Sequence, residues 1–323
     1  MLSYTIRPAE TTTERRQALM LLMNEADRPS PEEDISEALE QADRGEIDLS
    51  HLLIALPDNQ PTDDRPSIFG SILMIVQPDA TGLTWAPVLD DSVNAKRASS
   101  LKQALIEAEA ERARSVACNY LQASVGMNQD DRAASLLQNG FVELGNMVFM
   151  QRPTPRGLRS LWHSEKKEIA PIELIPYRQC MNDAQLAALI EQTYEDSSDF
   201  PELQGYRTGM QAILSHREQG EFQPDAWYVI RGKGQDIGVL FFSSHEEVGQ
   251  TELIYVGITP RYRKQGLGKK AVALALSRLD GQKKTVFLGV DTRNLAAVKV
   301  YTSLGFVPIT RQRVFYRVLR ASP

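Results

Sequence analysis

The sequence predicts an α/β fold of layered strands and helices, and it predicts that plan twice. Three observations carry this. Short apolar segments alternate with helical stretches along 323 residues, a length that suits two ordinary domains. A helix closing in Gly-Phe stands near the end of each half, at Gly140-Phe141 (SLLQNGFVEL) and Gly305-Phe306 (VYTSLGFVPI), 165 residues apart. In the later half, a strand ending at Pro260 opens through a basic, glycine-bearing turn into a further helix.

Taken in order, the elements of the two halves run in parallel. Each opens with a short strand, Tyr4–Arg7 and Ile172–Ile175, followed by a helical stretch. His51–Leu56 then matches Trp227–Arg231, and Ile68–Val76 matches Ile237–Ser243. Leu83–Leu89, with Pro87 inside it, lies opposite Leu253–Thr259. Strands Tyr120–Val125 and Thr285–Val290 precede the two Gly-Phe helices, and Met147–Met150 and Val314–Leu319 follow them. Residues 1–152 thus read as one domain and 171–323 as a second. Residues 153–170, with Pro153, Pro155 and a mixed-charge end, read as the linker.

Composition narrows the function classes. The charged fraction of 24% and hydrophobic fraction of 42% are those of a soluble globular chain. No apolar run approaches the ~20 residues that span a bilayer, and Met1–Arg16 lacks the apolar core of a signal peptide. Two distant cysteines, Cys118 and Cys180, argue against a disulfide scaffold and against a metal site. The expected compartment is the reducing cytoplasm. A net charge of −6 argues against nucleic-acid binding, which leans on phosphate neutralisation. That charge is uneven: residues 1–152 carry 13 Lys and Arg against 24 Asp and Glu, and residues 153–323 carry 23 against 18. Arg261 to Lys270 hold five basic residues and no acid, as a small anionic ligand favours.

The turn itself is the most informative stretch. Strand, turn and helix from Val256 to Lys270 aim backbone N–H groups and the positive end of a helix dipole at one point, a receptor for phosphate. Gly266 and Gly268 allow positive φ and close approach of a ligand. Taken alone, those glycines also suit a basic surface turn that caps a helix. The nucleotide P-loop is excluded, because Lys270 stands where Ser or Thr must follow Gly-Lys. The dinucleotide fingerprint is excluded for want of a third glycine and of an early βαβ position.

The pattern Arg263-x-x-Gly266-x-Gly268 after this strand resembles the acyl-CoA pyrophosphate loop of the GNAT superfamily of N-acetyltransferases. The later run Asn294-x-x-Ala297-x-x-x-Tyr301-x-x-x-Gly305-Phe306 is similar to that superfamily's second signature. The match runs from about Ile172 to Leu319. It implies two tandem GNAT-like domains, each a mixed, mostly antiparallel sheet flanked by helices, with acetyl-CoA as co-substrate and no metal. It also implies direct transfer of an acetyl group to the primary amine of a small molecule. The cofactor residues it implies are Arg263, Lys264, Gln265, Gly266, Leu267, Gly268 and Lys269 in the turn. Val256, Gly257 and Ile258 lie along the strand, and Asn294, Ala297 and Tyr301 on the later helix.

Several roles stay open at this level. Tyr301 sits where the family places its general acid, and its ordinary pKa near ~10 suits a proton donor, but a helix tyrosine also packs on sheets. Asn294 either touches pantetheine or only caps its helix. Gly257, in a β-favouring run, marks a bulge, a close backbone approach or nothing. Glu252 is a base in an apolar setting, a rim carboxylate for the substrate's ammonium, or a plain strand residue, and a water chain is an alternative base. His245, Glu246 and Glu247 read as a solvated turn. Phe200, Tyr206, Trp227 and Tyr228 read as core more than pocket, with alternation placing one of Trp227 and Tyr228 inward.

The halves diverge where the turn stands. The earlier one reads Asp90-Asp91-Ser92-Val93-Asn94-Ala95-Lys96-Arg97-Ala98, without glycine and with two aspartates that repel pyrophosphate. Leu136 stands opposite Tyr301, and Gln129 opposite Asn294. The earlier half is therefore expected to be a degenerate copy without a cofactor loop. The rival to an acetyltransferase is a catalytically silent acyl-CoA-binding sensor on the same fold, which needs neither Tyr301 nor Glu252. A purely structural protein does not explain why only one half keeps the basic glycine turn.

Overall fold

A computed structural model describes residues 3–23, 31–58, 67–153, 170–279 and 285–319. The expected linker therefore falls almost wholly outside the described residues. Within them the first repeat runs β1 (Tyr4–Pro8), α1 (Thr12–Met23), α2 (Pro31–Asp43), β2 (Leu52–Pro57), β3 (Gly70–Val76), β4 (Thr81–Leu89), α3 (Ala95–Ser115), β5 (Tyr120–Gly126), α4 (Asp130–Gln138) and β6 (Val142–Pro153). The second runs β7 (Ile172–Pro176), α5 (Asp183–Tyr194), α6 (Gly209–Arg217), β8 (Glu221–Gly232), β9 (Gln235–His245), β10 (Gln250–Ile258), α7 (Leu267–Arg278), β11 (Thr285–Asp291), α8 (Leu295–Ser303) and β12 (Val307–Val318). The two successions are the same, strand for strand and helix for helix.

The chain compacts into two units, residues 1–144 with 313–323, and residues 145–312. In the first, strands follow the order β1-β2-β3-β4-β5 and then the Arg313–Val318 part of β12. In the second, the Gly145–Pro153 part of β6 is followed by β11-β10-β9-β8-β7. Each unit thus holds the last strand of the other repeat. In both, neighbours within β1–β4 or β7–β10 are antiparallel, and β4–β5 and β10–β11 are parallel. β6 closes the second sheet antiparallel to β11, from Thr285 opposite Pro153 to Asp291 opposite Met147.

The helices of the second unit start where their caps dictate. Asn182 with Gln185 and Thr208 with Gln211 form reciprocal capping boxes that satisfy orphan N–H groups of α5 and α6. Both faces of the sheet are covered. On one, Leu240, Phe242, Leu253, Val286 and Leu288 pack with Ala271, Ala275 and Leu276 of α7 and with Tyr301. On the other, Trp227, Val229, Val239 and Phe241 pack with Leu186 and Ile190 of α5 and Ile213 of α6. Alternation therefore does not expose either member of the Trp227–Tyr228 pair: they point to opposite faces and both are buried, because each face has its own helical layer. No helix among the described residues is long and apolar enough to cross a membrane.

Candidate active site

The site is built where β10 and β11 part. Their parallel ladder covers only Gln250–Glu252 against Thr285–Phe287. Beyond it β10 continues along β9 as far as Ile258 opposite Gly238, and β11 continues along β6. The cause is an extra residue in β10: Leu253 faces Phe242 and Tyr255 faces Phe241, so Ile254 is bulged and the strand bends there. The bulge is three residues earlier than Gly257, which pairs regularly with Val239. Gly257 serves the second of its expected purposes, close approach. A Cβ there would stand 2.5 Å from Thr193 Oγ1 on α5 and 2.8 Å from the Tyr255 hydroxyl. Val256 and Ile258 pack on the face under α7.

At the end of β10 the chain makes one 3₁₀ turn over Pro260–Tyr262 and enters α7 at Leu267. Lys264 and Gly266 take left-handed backbone, with φ of 60° and 79°. The N–H groups of Lys264, Gln265, Gly266, Leu267 and Gly268 have no acceptor among the described residues, and they converge at the positive end of a 12-residue helix. This is an anion cradle, and a diphosphate fits its donor set. A Cβ on Gly268 would meet only Ile258, at an ordinary 3.6 Å, so its packing neighbours tolerate a side chain there. Leu267 is a core residue, and its part in the cradle is its main chain.

The basic side chains of the turn divide their labour. The Arg263 guanidinium is committed to protein carbonyls: Nε to Ile258 at 2.8 Å, and the terminal nitrogens to Thr193 and Asp196, each at 2.9 Å. Its charge therefore fastens the turn to the end of α5. Gln265 Nε2 donates to the Arg261 carbonyl at 3.2 Å, and Lys270 Nζ to the Ala170 carbonyl at 3.0 Å.

On the other side of the parting, Asn294 caps α8 by accepting the Ala297 N–H at 3.1 Å, which is the second of its two expected roles. Tyr301 is buried, its ring edge-on to Phe306, and its hydroxyl has no hydrogen-bond partner among the described residues. Burial, with a smaller contribution from the charge of Asp199, pushes its pKa well above the usual tyrosine value. It is a neutral O–H donor throughout the physiological range.

At the start of the parting stands Glu252, half-buried. Desolvation raises its pKa, and a contact with His245 Nε2 at 3.1 Å pulls the other way. His245 is thus not in a solvated turn. It ends β9, pairs with Gln250, and its ring lies 5.3 Å from that of Phe287. The hairpin register carries the signal that sequence reading passed over: with His245 opposite Gln250, Glu252 is the diagonal neighbour on the same face.

A second group was also missed. Asp291, wholly buried at the end of β11, accepts from the N–H groups of Phe200 and Arg293 and pairs with the Arg293 guanidinium at 2.7 Å. Arg293 also binds Glu202 at 2.6 Å. The local Asp291-x-Arg293 pairing was open to sequence reading, whereas the contact with Phe200 comes from a loop some ninety residues earlier.

Residues 190–306 match the acetyltransferase (GNAT) family. A mycothiol acetyltransferase of Streptomyces coelicolor is 34% identical over 111 residues, covering 30% of this chain and 36% of that protein. The mycothiol acetyltransferase of Streptomyces avermitilis is 35% identical over 110 residues, covering 29% and 36%. The chain thus spans about a third of the length of these curated relatives. Among solved structures, a GCN5-related N-acetyltransferase from Sphaerobacter thermophilus superposes with a TM-score of 0.62 at 13% identity, covering 99% of this chain and 97% of that one. A tandem GNAT protein from the clavulanic acid biosynthesis pathway does so with 0.54 at 11% identity, covering 99% and 100%. Residues 190–306 thus resemble the GNAT family, and the fold is that of GNAT proteins.

Proposed function

We propose that the protein is an N-acetyltransferase that moves an acetyl group from acetyl-CoA directly to a primary amine of a small molecule, using the second unit alone. The observation that carries this is the pairing of a cradle of unclaimed N–H groups at 264–268 with a strand, β10, that leaves its parallel neighbour just before it. Acetyl-CoA supplies the activated acyl group as a thioester. The cradle takes its diphosphate, with Lys269 in the first turn of α7 adding charge. The main chain of Val256, Gly257 and Ile258, where β10 no longer pairs with β11, takes the pantetheine arm, and Asn294 and Ala297 border it from the start of α8. Arg263 contributes by holding the turn in shape.

Two side chains handle protons. Glu252, ionised and held by His245, removes the proton that the attacking amine must lose. Tyr301 donates its proton to the departing sulfur as the carbon–sulfur bond breaks. The first unit keeps the scaffold without the cofactor site. The specificity that the relatives' name, mycothiol acetyltransferase, suggests is not carried over, because the shared segment is about a third of their length. A thiol-release assay with acetyl-CoA against alkylamines, amino acids, aminoglycosides, polyamines and peptide N-termini tests the reading. Amine-dependent release of free coenzyme A supports it, and cofactor binding with no release for any acceptor favours the acyl-CoA sensor.

A further inference from the structure

The segment Thr193–Phe200 is strapped across the open end of the β10–β11 parting. At one end, Arg263, just past β10 and bonded to the Ile258 carbonyl, grips the carbonyls of Thr193 and Asp196. At the other, the Phe200 N–H donates to Asp291 Oδ2, and Asp199 Oδ1 accepts the Asp291 N–H, both at 3.3 Å, at the last residue of β11. The strap therefore touches the ends of both strands and carries Asp199 over the gap between them.

The carboxyl of Asp199 differs from its neighbours. Asp291 and Glu202 are both taken by Arg293. Asp199 accepts that one N–H as its side-chain hydrogen bond among the described residues, while Arg207 and Arg293 attract it and Asp291 repels it through space. The side chain is solvent-exposed, yet desolvation by the surrounding protein, with the charge of Asp291 adding to it, raises its pKa. Its charge also acts on Tyr301. A carboxylate short of partners, partly stripped of water and within the electrostatic reach of the proton donor is a receptor for a cation.

We infer that Asp199 receives the ammonium of the acceptor and positions its nitrogen at the β10–β11 gap, so that the acceptor class is a cationic amine. This rests on the acetyltransferase reading above. Asp199→Asn keeps an acceptor for the Asp291 N–H and removes only the charge. In steady-state assays it raises KM for an alkylamine, charged at neutral pH, about tenfold or more. KM for a hydrazide, neutral at the same pH, and the affinity for acetyl-CoA stay as in the wild type, and Asp199→Glu restores part of the alkylamine KM. Equal KM changes for charged and neutral acceptors, or none, overturn the assignment while leaving the acetyltransferase intact. A wild type that binds acetyl-CoA and acetylates no amine contradicts the underlying reaction and the assignment together.

Discussion

The turn after β4 and the turn after β10 occupy the same place in two copies of one plan and differ in backbone shape and in side-chain acceptors. After β4, the Asp90 carboxylate accepts the Ser92 N–H at 2.9 Å, the Asp90 carbonyl accepts that of Val93, and Asn94 accepts those of Arg97 and Ala98. The Asp90 side chain thus folds over the start of the turn, as Asp does in local turns of this kind, and α3 begins at Asn94 without a side-chain cap. After β10, left-handed residues at 264 and 266 turn the N–H groups outward and no side chain answers them. A short acceptor side chain in the turn makes a structural connection; its absence, with glycine, leaves a receptor for an anion.

The strongest challenge to this contrast is physical separation. Residues 170–323 expressed alone lack the Gly145–Pro153 strand that pairs with β11 from Thr285 to Asp291. An open β11 edge and the loss of Val148 and Met150 from the core predict an insoluble product without cofactor binding. A soluble fragment that binds acetyl-CoA, judged by gel filtration and calorimetry, refutes the strand exchange.

Next in size is Tyr301→Phe, which removes the proton donor and little else. Turnover falls about a hundredfold, with acetyl-CoA affinity and melting temperature close to wild type. Unchanged turnover removes Tyr301 from the chemistry. Gly266→Val places a β-branched residue at φ 79° and weakens acetyl-CoA about tenfold or more, read by calorimetry.

The pH profile sharpens the proton roles. Glu252 works as a base only when ionised, and burial lifts its pKa, so kcat/KM falls as pH drops through that raised value. Glu252→Gln flattens this limb when the acceptor's own pKa lies outside the range. Tyr301, kept protonated by burial and by Asp199, adds no alkaline limb below about pH 10. The smallest effect belongs to the first unit. Changing Asp90 and Asp91 to Asn leaves cofactor stoichiometry unaltered, since the glycines remain absent.

Much of this was legible in the sequence because the signals are local. Strand alternation, the Gly-Phe helix ends and the glycine turn each reside in a few consecutive residues, and β4, β5, β10 and β11 lie within about three residues of their expected positions. What was not legible depends on partners distant along the chain. Ile254 rather than Gly257 bulges because β9 sets the register. Arg263 turns from ligand toward protein because α5 ends beside it with open carbonyls. His245 and Asp199 gain meaning only when a hairpin and a strap bring them to β10 and β11, and β6 shows no sign in its own residues of which repeat's sheet it completes.

The central contrast is tested most directly by isothermal titration of the intact chain with coenzyme A. One site per chain, lost or severely weakened in Gly266→Val and unaffected when Asp90 and Asp91 are changed, is the expected result. Two sites in the wild type, or a single site indifferent to Gly266→Val, would contradict it.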